Sequence, residues 1–368
     1  MITSIMKKKV GIVTWHYYTN YGSALQAFAL QKLISDLGYD VKIINYRNPQ
    51  FGVHIWWKYI AKCILHNTLG LFNKNIYEKT SFGARRFQNK YHYQTKRFEN
   101  PEDIHNLVKD FYCIVYGSDQ IWAPNVYHPL YMGAYIPEGV KKISYAASIG
   151  LNEIPDHLID TYKKNLSSYA AIAVREDEGK NLLKEKCGID AEVVLDPTLM
   201  INADTYRKMQ RPVRGVNGRF IYCYFLNKEH KYREKVEEYA RKNSLQIVGT
   251  SENPSDSQWM RRVANLGADQ FLWLINNAET IFTDSYHGSI FSLLFHKNLW
   301  SFVRFEENSP VCQNSRIRQL QNYFNIGHRI ITAKSEVDDS RAIDYEYFEK
   351  ELAKLRTYSM SYIKSSIG

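Results

Sequence analysis

Cysteine is scarce in this chain: five residues, Cys63, Cys113, Cys187, Cys223 and Cys312, an odd number scattered over 368 positions. No two have the spacing of a metal knuckle or a redox pair, which reads as reduced thiols in a cytoplasmic protein. Long apolar runs are missing as well. The opening MITSIMKKKVGIVTW has three lysines and only a short apolar stretch, without the longer core and small-residue cleavage site of a secretory signal. No segment has the length and purity of a membrane span. Short repeats and low-complexity tracts are absent, and so is any cluster at metal-ligand spacing; we expect no metal or redox cofactor. TNYGSALQ, residues 19–26, lacks the spacing of a dinucleotide fingerprint.

What the chain does carry is positive charge. Lysine and arginine number 48 against 38 acidic residues, a formal net charge of +10, which draws anionic partners at long range: phosphorylated metabolites, anionic lipid or nucleic acid. No recognised nucleic-acid-binding motif accompanies the charge, so nucleic acid is not expected. A 45% hydrophobic and 23% charged composition is that of a globular protein, and the length suffices for two domains with cores of their own.

Strand and helix patterns alternate. KVGIVTW is a compact apolar strand, and GSALQAFALQKLISDLG carries Leu25, Phe28, Ala29, Leu33 and Leu37 at helical spacing. Ser23 stands near the helix start and Gly38 where a left-handed cap belongs. DVKIINY returns as a strand. The rhythm breaks over 51–100, resumes with FYCIVYGSDQIW and KKISYAASIG, and repeats after the basic stretch RKMQRPVRGVNGR, residues 207–219. This predicts an α/β protein of two doubly wound, Rossmann-type halves with parallel sheets facing a central cleft: 1–208, 209–335, and a closing helix over 336–368.

The interruption is aromatic and basic. In IWWKYIAKCILHNTLGLF, Lys58, Lys62 and His66 lie four apart, giving a helix with a basic face, suited to peripheral contact with an anionic inner membrane or simply solvated. ARRFQNKYHYQTKRF, residues 84–98, contains no acidic residue and reads as a mobile loop able to meet an anionic acceptor.

In open α/β sheets ligands bind at the carboxyl ends of strands. Four polar motifs fall there: HYYTNYGS, GSDQIW, REDEG and DSYHG. In the last, His287 can act as general acid or base, with Asp284 orienting it, while Ser285, Gly288 and Ser289 open a helix whose N-terminus favours an anion. Mere capping, with His287 and Asp284 bonded to each other, is the plainer alternative. Arg175 and Arg316 offer planar forks for carboxylate or phosphate, although Arg175 could instead pair with Glu176 or Asp177. Asn20 and Gly22 form a turn that permits close approach of a ligand, or an ordinary capped turn. Ser118, Asp119 and Gln120 beside Trp122, together with Tyr286, suit a sugar ring, unless Trp122 is simply core.

Taken in order, NYGSALQAFALQ, GSDQIW, SYAASIG, VREDEG, LDPTL, FLWLINNAETIFTDSYHGSIFSLLF and NSRIRQL resemble the polysaccharide pyruvyl transferase family over most of residues 10–325, the 51–100 region excepted. The resemblance implies a GT-B-like fold and transfer of the carboxyvinyl group of phosphoenolpyruvate, as co-substrate, to sugar hydroxyls as a ketal in surface or capsular polysaccharide biosynthesis. The expected acceptor is galactose-type and lipid-linked. His287 would be the catalytic histidine of a D-S/R-x-H-G motif, with Arg175 and Arg316 gripping the donor. Some members have a basic residue where this chain has Ser285, which leaves open which arginine holds carboxylate and which phosphate. Two other functions fit the same motifs: a glycosyltransferase using a nucleotide-sugar, and a non-catalytic glycan-binding protein.

Overall fold

A computed structural model describes residues 7–17, 19–48, 82–227, 232–251, 254–306, 309, 312–332 and 335–368. The first half is built on a parallel sheet of β1 (Lys9–Val13), β2 (Asp40–Ile43), β3 (Cys113–Tyr116) and β4 (Lys141–Ser144), in the order β2-β1-β3-β4. β3 is buried at all four positions, as expected of a central parallel strand covered on both faces. Beyond β4 the sheet continues through bridges Ile143↔Ala171 and Ala147↔Val174 to β5 (Ala173–Val174), which pairs with β6 (Glu192–Val193). The helix Tyr21–Asp36 links β1 to β2, and Gly38 has the expected left-handed φ of 96°.

The second half repeats the plan with β7 (Phe220–Tyr224), β8 (Gln246–Thr250), β9 (Arg261–Arg262), β10 (Thr280–Thr283), β11 (Asn298–Phe302) and β12 (Ile330–Ile331). Its order is β12-β11-β10-β7-β8-β9, parallel throughout. In each sheet the chain moves outward to one side and then the other. The switch points fall between β1 and β3 and between β7 and β10, where loops diverge and leave a crevice.

Aromatic packing joins the halves beside those crevices. Tyr21 stacks on Phe271 with ring centroids 4.8 Å apart, and Tyr206 meets Phe291 edge to face at 4.9 Å. The helix Tyr345–Ile367 begins on the second half, where Tyr345 stacks on His296, and ends on the first. There Tyr362 donates to the carbonyl of Ser144 and Ser359 accepts from the amide of Leu195.

Lys58, Lys62 and His66 lie outside the described residues. The following basic segment is not the loop its charge suggested. Residues Phe82–Tyr91 form a helix that buries Gly83, Ala84, Phe87 and Gln88, because these positions fall on one helical face. Arg86 donates to Asp269 at 2.9 Å and to Gln270 at 3.0 Å in the second half. Afterwards Gln94 and Phe98 bridge to Ile43 and Tyr46 and extend the sheet edge.

Candidate active site

The site assembles from strand ends of both halves. From the second, His287 stands in the first turn of the helix Tyr286–Leu294, directly after β10. Ser285 caps that helix, its hydroxyl accepting from the Gly288 amide at 3.3 Å. From the first, Asp196 follows β6 and caps the short helix Pro197–Met200: Oδ1 accepts from the Thr198 amide (2.9 Å) and hydroxyl (2.6 Å). Its Oδ2 accepts from Arg175 Nη1 at 2.9 Å and from the Ser118 hydroxyl at 3.2 Å. The same oxygen lies 3.5 Å from His287 Nε2, long for a hydrogen bond but within ion-pair range. Burial by itself would raise the Asp196 carboxyl. His287, Arg175 and Thr198 outweigh it and hold the group well below the usual carboxylate range.

Arg175 leaves the end of β5 and is almost wholly buried. Besides Asp196 it donates through Nε to Glu176 at 2.8 Å, and Ser148 donates to the same Glu176 oxygen. Burial opposes its charge, but Glu176, Tyr286 and Asp196 more than compensate, so the guanidinium stays protonated. Its guanidinium carbon lies 4.7 Å from the Tyr286 ring centroid, and that of Arg316 lies 5.8 Å from the same centroid. Arg316 opens the helix Ser315–Phe324 and donates to the amide oxygen of Gln313, a neutral partner. Burial first, then the charge of Arg175, push it down to about 10. Arg175 Nη2, Glu176 Oε2, His287 Nε2 and Arg316 Nε are all buried without a hydrogen-bond partner. Two guanidiniums in mutual repulsion thus keep unused donors, and Glu176 beside them keeps an unused acceptor.

The floor is held by a polar network. Gln26 donates to Thr14 Oγ1 and to the Trp15 carbonyl, both at 2.9 Å, and accepts from the Ser118 amide at 3.1 Å. Ser23 donates to Asp119, whose φ of 70° is a left-handed conformation that aspartate tolerates better than most side chains. The loops after β1 and β3 are thereby locked together.

Several sequence expectations require correction. Asp284 does not orient His287. Its carboxylate accepts from the amides of Leu226 (2.7 Å) and Asn227 (2.9 Å), and it faces a small pocket with Tyr232 and Arg304. The backbone of the loop after β7 needs those acceptors, and burial raises the carboxyl. Trp122 is core and no sugar platform: fully buried, it donates Nε1 to the Tyr131 carbonyl at 3.0 Å. Arg175 is no free fork, because two carboxylates already occupy it, and only Nη2 remains. Ser289 is turned away, its hydroxyl bonded to the Ser285 carbonyl and to Ser301. Gly288 gives its amide to the cap, and a Cβ there would lie 2.4 Å from Thr283 Oγ1, so the residue serves helix–strand contact. Asn20 is an exposed cap accepting from the Ser23 amide. Gln120 is half-buried and packs on Gly150.

Brought together are His287, Tyr286, Arg175, Arg316, Ser118, Asp119 and Gly22. Asp196, Glu176 and Gln26 were missed as site residues. Asp196 had a signal of its own kind, a carboxylate directly after the apolar run VVL in the LDPTL motif. Gln26 had none, since its helix position gives no hint of the loops it ties.

Comparison with known proteins places this arrangement. The chain superposes on the UDP-GlcNAc 2-epimerase of Neisseria meningitidis bound to UDP-GlcNAc with a TM-score of 0.53 and 10% identity, covering 98% of this chain and 99% of that one. The MnaA–UDP complex of S. aureus gives 0.51 at 11% identity, covering 97% and 91%. At such identities the likeness is one of fold alone, the two-domain GT-B arrangement. No curated protein matches the sequence significantly. A family model described as polysaccharide pyruvyl transferase matches residues 20–303, which contain Gly22, Arg175, Asp196 and His287. The chain is a member of the polysaccharide pyruvyl transferase family.

Proposed function

We propose that this protein transfers the carboxyvinyl group of phosphoenolpyruvate to two hydroxyls of a sugar, forming a cyclic ketal during surface polysaccharide biosynthesis. The observation that supports it best is the convergence of His287 and Arg316 from one half with Arg175 and Asp196 from the other around the Tyr286 ring. Phosphoenolpyruvate carries a carboxylate and a phosphate on three carbons. It would meet Arg316, whose side-chain hydrogen-bond acceptor Gln313 is neutral, and the remaining Nη2 of Arg175.

The reaction needs protons moved at defined atoms. Protonation of the methylene carbon by His287 makes it a methyl group and leaves C2 an oxocarbenium-like electrophile. A sugar hydroxyl attacks C2 and gives up its proton to the now neutral imidazole. Phosphate departs taking the proton from the imidazolium, which regenerates the electrophile, and a second hydroxyl closes the ring with its proton passing to the neutral imidazole. Arg316 offsets charge on the donor throughout, and the acceptor we favour is a lipid-linked galactoside.

The test is incubation of purified protein with phosphoenolpyruvate and a panel of sugar glycosides, read by mass spectrometry for the ketal and by phosphate release. Absence of both, combined with binding of a nucleotide-sugar, would replace this reading with a glycosyltransferase. Sugar affinity without any donor binding would instead indicate a glycan-binding protein.

A further inference from the structure

His287 has two ring nitrogens in very different surroundings. Nε2 is sealed from solvent and faces Asp196 Oδ2 at 3.5 Å. The residue as a whole keeps 7% of its surface accessible, so that exposure lies elsewhere on it. Nδ1 points at the opposite half, to Gly22 in the first turn of the helix Tyr21–Asp36. A Cβ built on Gly22 would lie 2.1 Å from Nδ1 and 2.5 Å from Cγ, distances no side chain can occupy.

Glycine at this position is not explained by backbone conformation. Gly22 is helical and does not belong to the left-handed glycines, and a helical glycine carries an entropic cost. What its missing Cβ provides is the volume that the imidazole ring itself fills. Asp196, for its part, is immobilised: both oxygens are engaged by Thr198, Ser118 and Arg175 before His287 is counted. A carboxylate fixed in this way sets the orientation of an imidazole and selects which nitrogen bears the hydrogen.

We infer that Asp196 is the positioning residue for His287, holding hydrogen on Nε2, that Nδ1 is the nitrogen which exchanges protons with the reacting molecule, and that Gly22 is present to leave Nδ1 its space. The kinetic part rests on the proposed pyruvyl transfer; the tautomer does not. In the transfer, Nδ1 of the protonated ring gives its proton to the donor methylene carbon. The neutral ring then keeps hydrogen on Nε2 toward Asp196 and recovers a proton at Nδ1 from the attacking hydroxyl.

The test uses full-length protein labelled with 15N-histidine, the His287 signals being assigned by their loss in His287→Gln. Two-bond 1H–15N spectra of the neutral ring are expected to show the Nε2–H tautomer; an Nδ1–H tautomer overturns the inference, whatever the protein's activity. Asp196→Asn should abolish the tautomer bias and lower kcat by about 100-fold with little change in KM for phosphoenolpyruvate. Glu176→Gln, which perturbs Arg175 but does not touch His287, should leave the tautomer intact. An unchanged spectrum and unchanged kcat in Asp196→Asn overturn the positioning role, and full turnover in Gly22→Ala overturns the role of the gap. Should no ketal form in any protein while the Nε2–H tautomer is present, the reaction assigned above fails and the positioning role stands.

Discussion

Asp196 Oδ2 and His287 Nε2 approach to 3.5 Å although one residue caps a helix of the first half and the other opens a helix of the second. Their contact ties the chemistry to the relative placement of the two sheets. Whatever separates the halves separates the imidazole from its carboxylate.

Removing the imidazole is the most direct experiment. His287→Ala is expected to fold, since the ring makes no hydrogen bond within 3.5 Å that the helix needs. Turnover should fall by roughly three orders of magnitude, within the range for loss of a general acid–base. A melting temperature near wild type with full ketal formation would remove His287 from the mechanism.

The two arginines should respond differently. Arg316 has a neutral described partner, so Arg316→Gln is expected to raise KM for phosphoenolpyruvate by about 10–100-fold, the loss of one charged hydrogen-bonded contact. Stability should change little. Arg175→Gln leaves Glu176 and Asp196 buried without their cation, which costs about 3–5 kcal/mol. Urea titration beside steady-state kinetics separates the two cases; equal losses of stability would contradict the geometry.

Acid stability follows from Asp196. Its folded carboxyl is held below the ordinary value of 3.8, so its contribution is fully present above that value and disappears as pH falls through the lower folded one. The wild type should therefore lose more stability than Asp196→Asn between neutral pH and the region below pH 4. Parallel losses in both proteins, measured by denaturant midpoints, would show that other groups govern acid unfolding.

Trp122 provides a test of the corrected assignment. Being sealed in the core and hydrogen-bonded to Tyr131, it should matter for stability and not for sugar binding. Trp122→Phe is expected to destabilise by about 1–3 kcal/mol, the loss of a buried bond and some packing, with KM for the acceptor unchanged. A selective rise in that KM would restore the sugar-platform role.

The basic helix Phe82–Tyr91 predicts a contrast between charge and packing. Arg86 is about one-third exposed but its partner Asp269 is buried, so Arg86→Ala should cost about 1–2 kcal/mol, less than loss of a cation from a fully buried pair. Gly83 lies so close to the Leu266–Gly267 backbone that a Cβ would sit 2.2 Å from Leu266 C. Gly83→Ala should cost about 1–3 kcal/mol or more through forced displacement. Thermal unfolding of the two variants gives the order directly.

Much of the architecture could be read from periodicity. Apolar runs such as CIVY and TIFT are short enough to be strands and too apolar to face water, and the intervening 3.6-residue patterns require crossovers, hence parallel sheets. His287 and Arg175 were visible for the same reason: a polar residue following a buried strand stands where the sheet opens. The sequence by itself thus determined the fold class and which strand ends carry ionisable groups.

Pairing between those groups was decided only in three dimensions. Asp284 is three residues from His287, but the carboxylate turns to the backbone amides of Leu226 and Asn227, because buried amides must be satisfied. That leaves the imidazole to Asp196 from the other domain. Trp122 likewise faces the core because its loop lies against Tyr131 and Tyr169. Sequence proximity measures neither direction nor distance once a chain has folded back on itself. The tertiary structure selects partners by which side chains the two packed sheets aim into the same few ångströms.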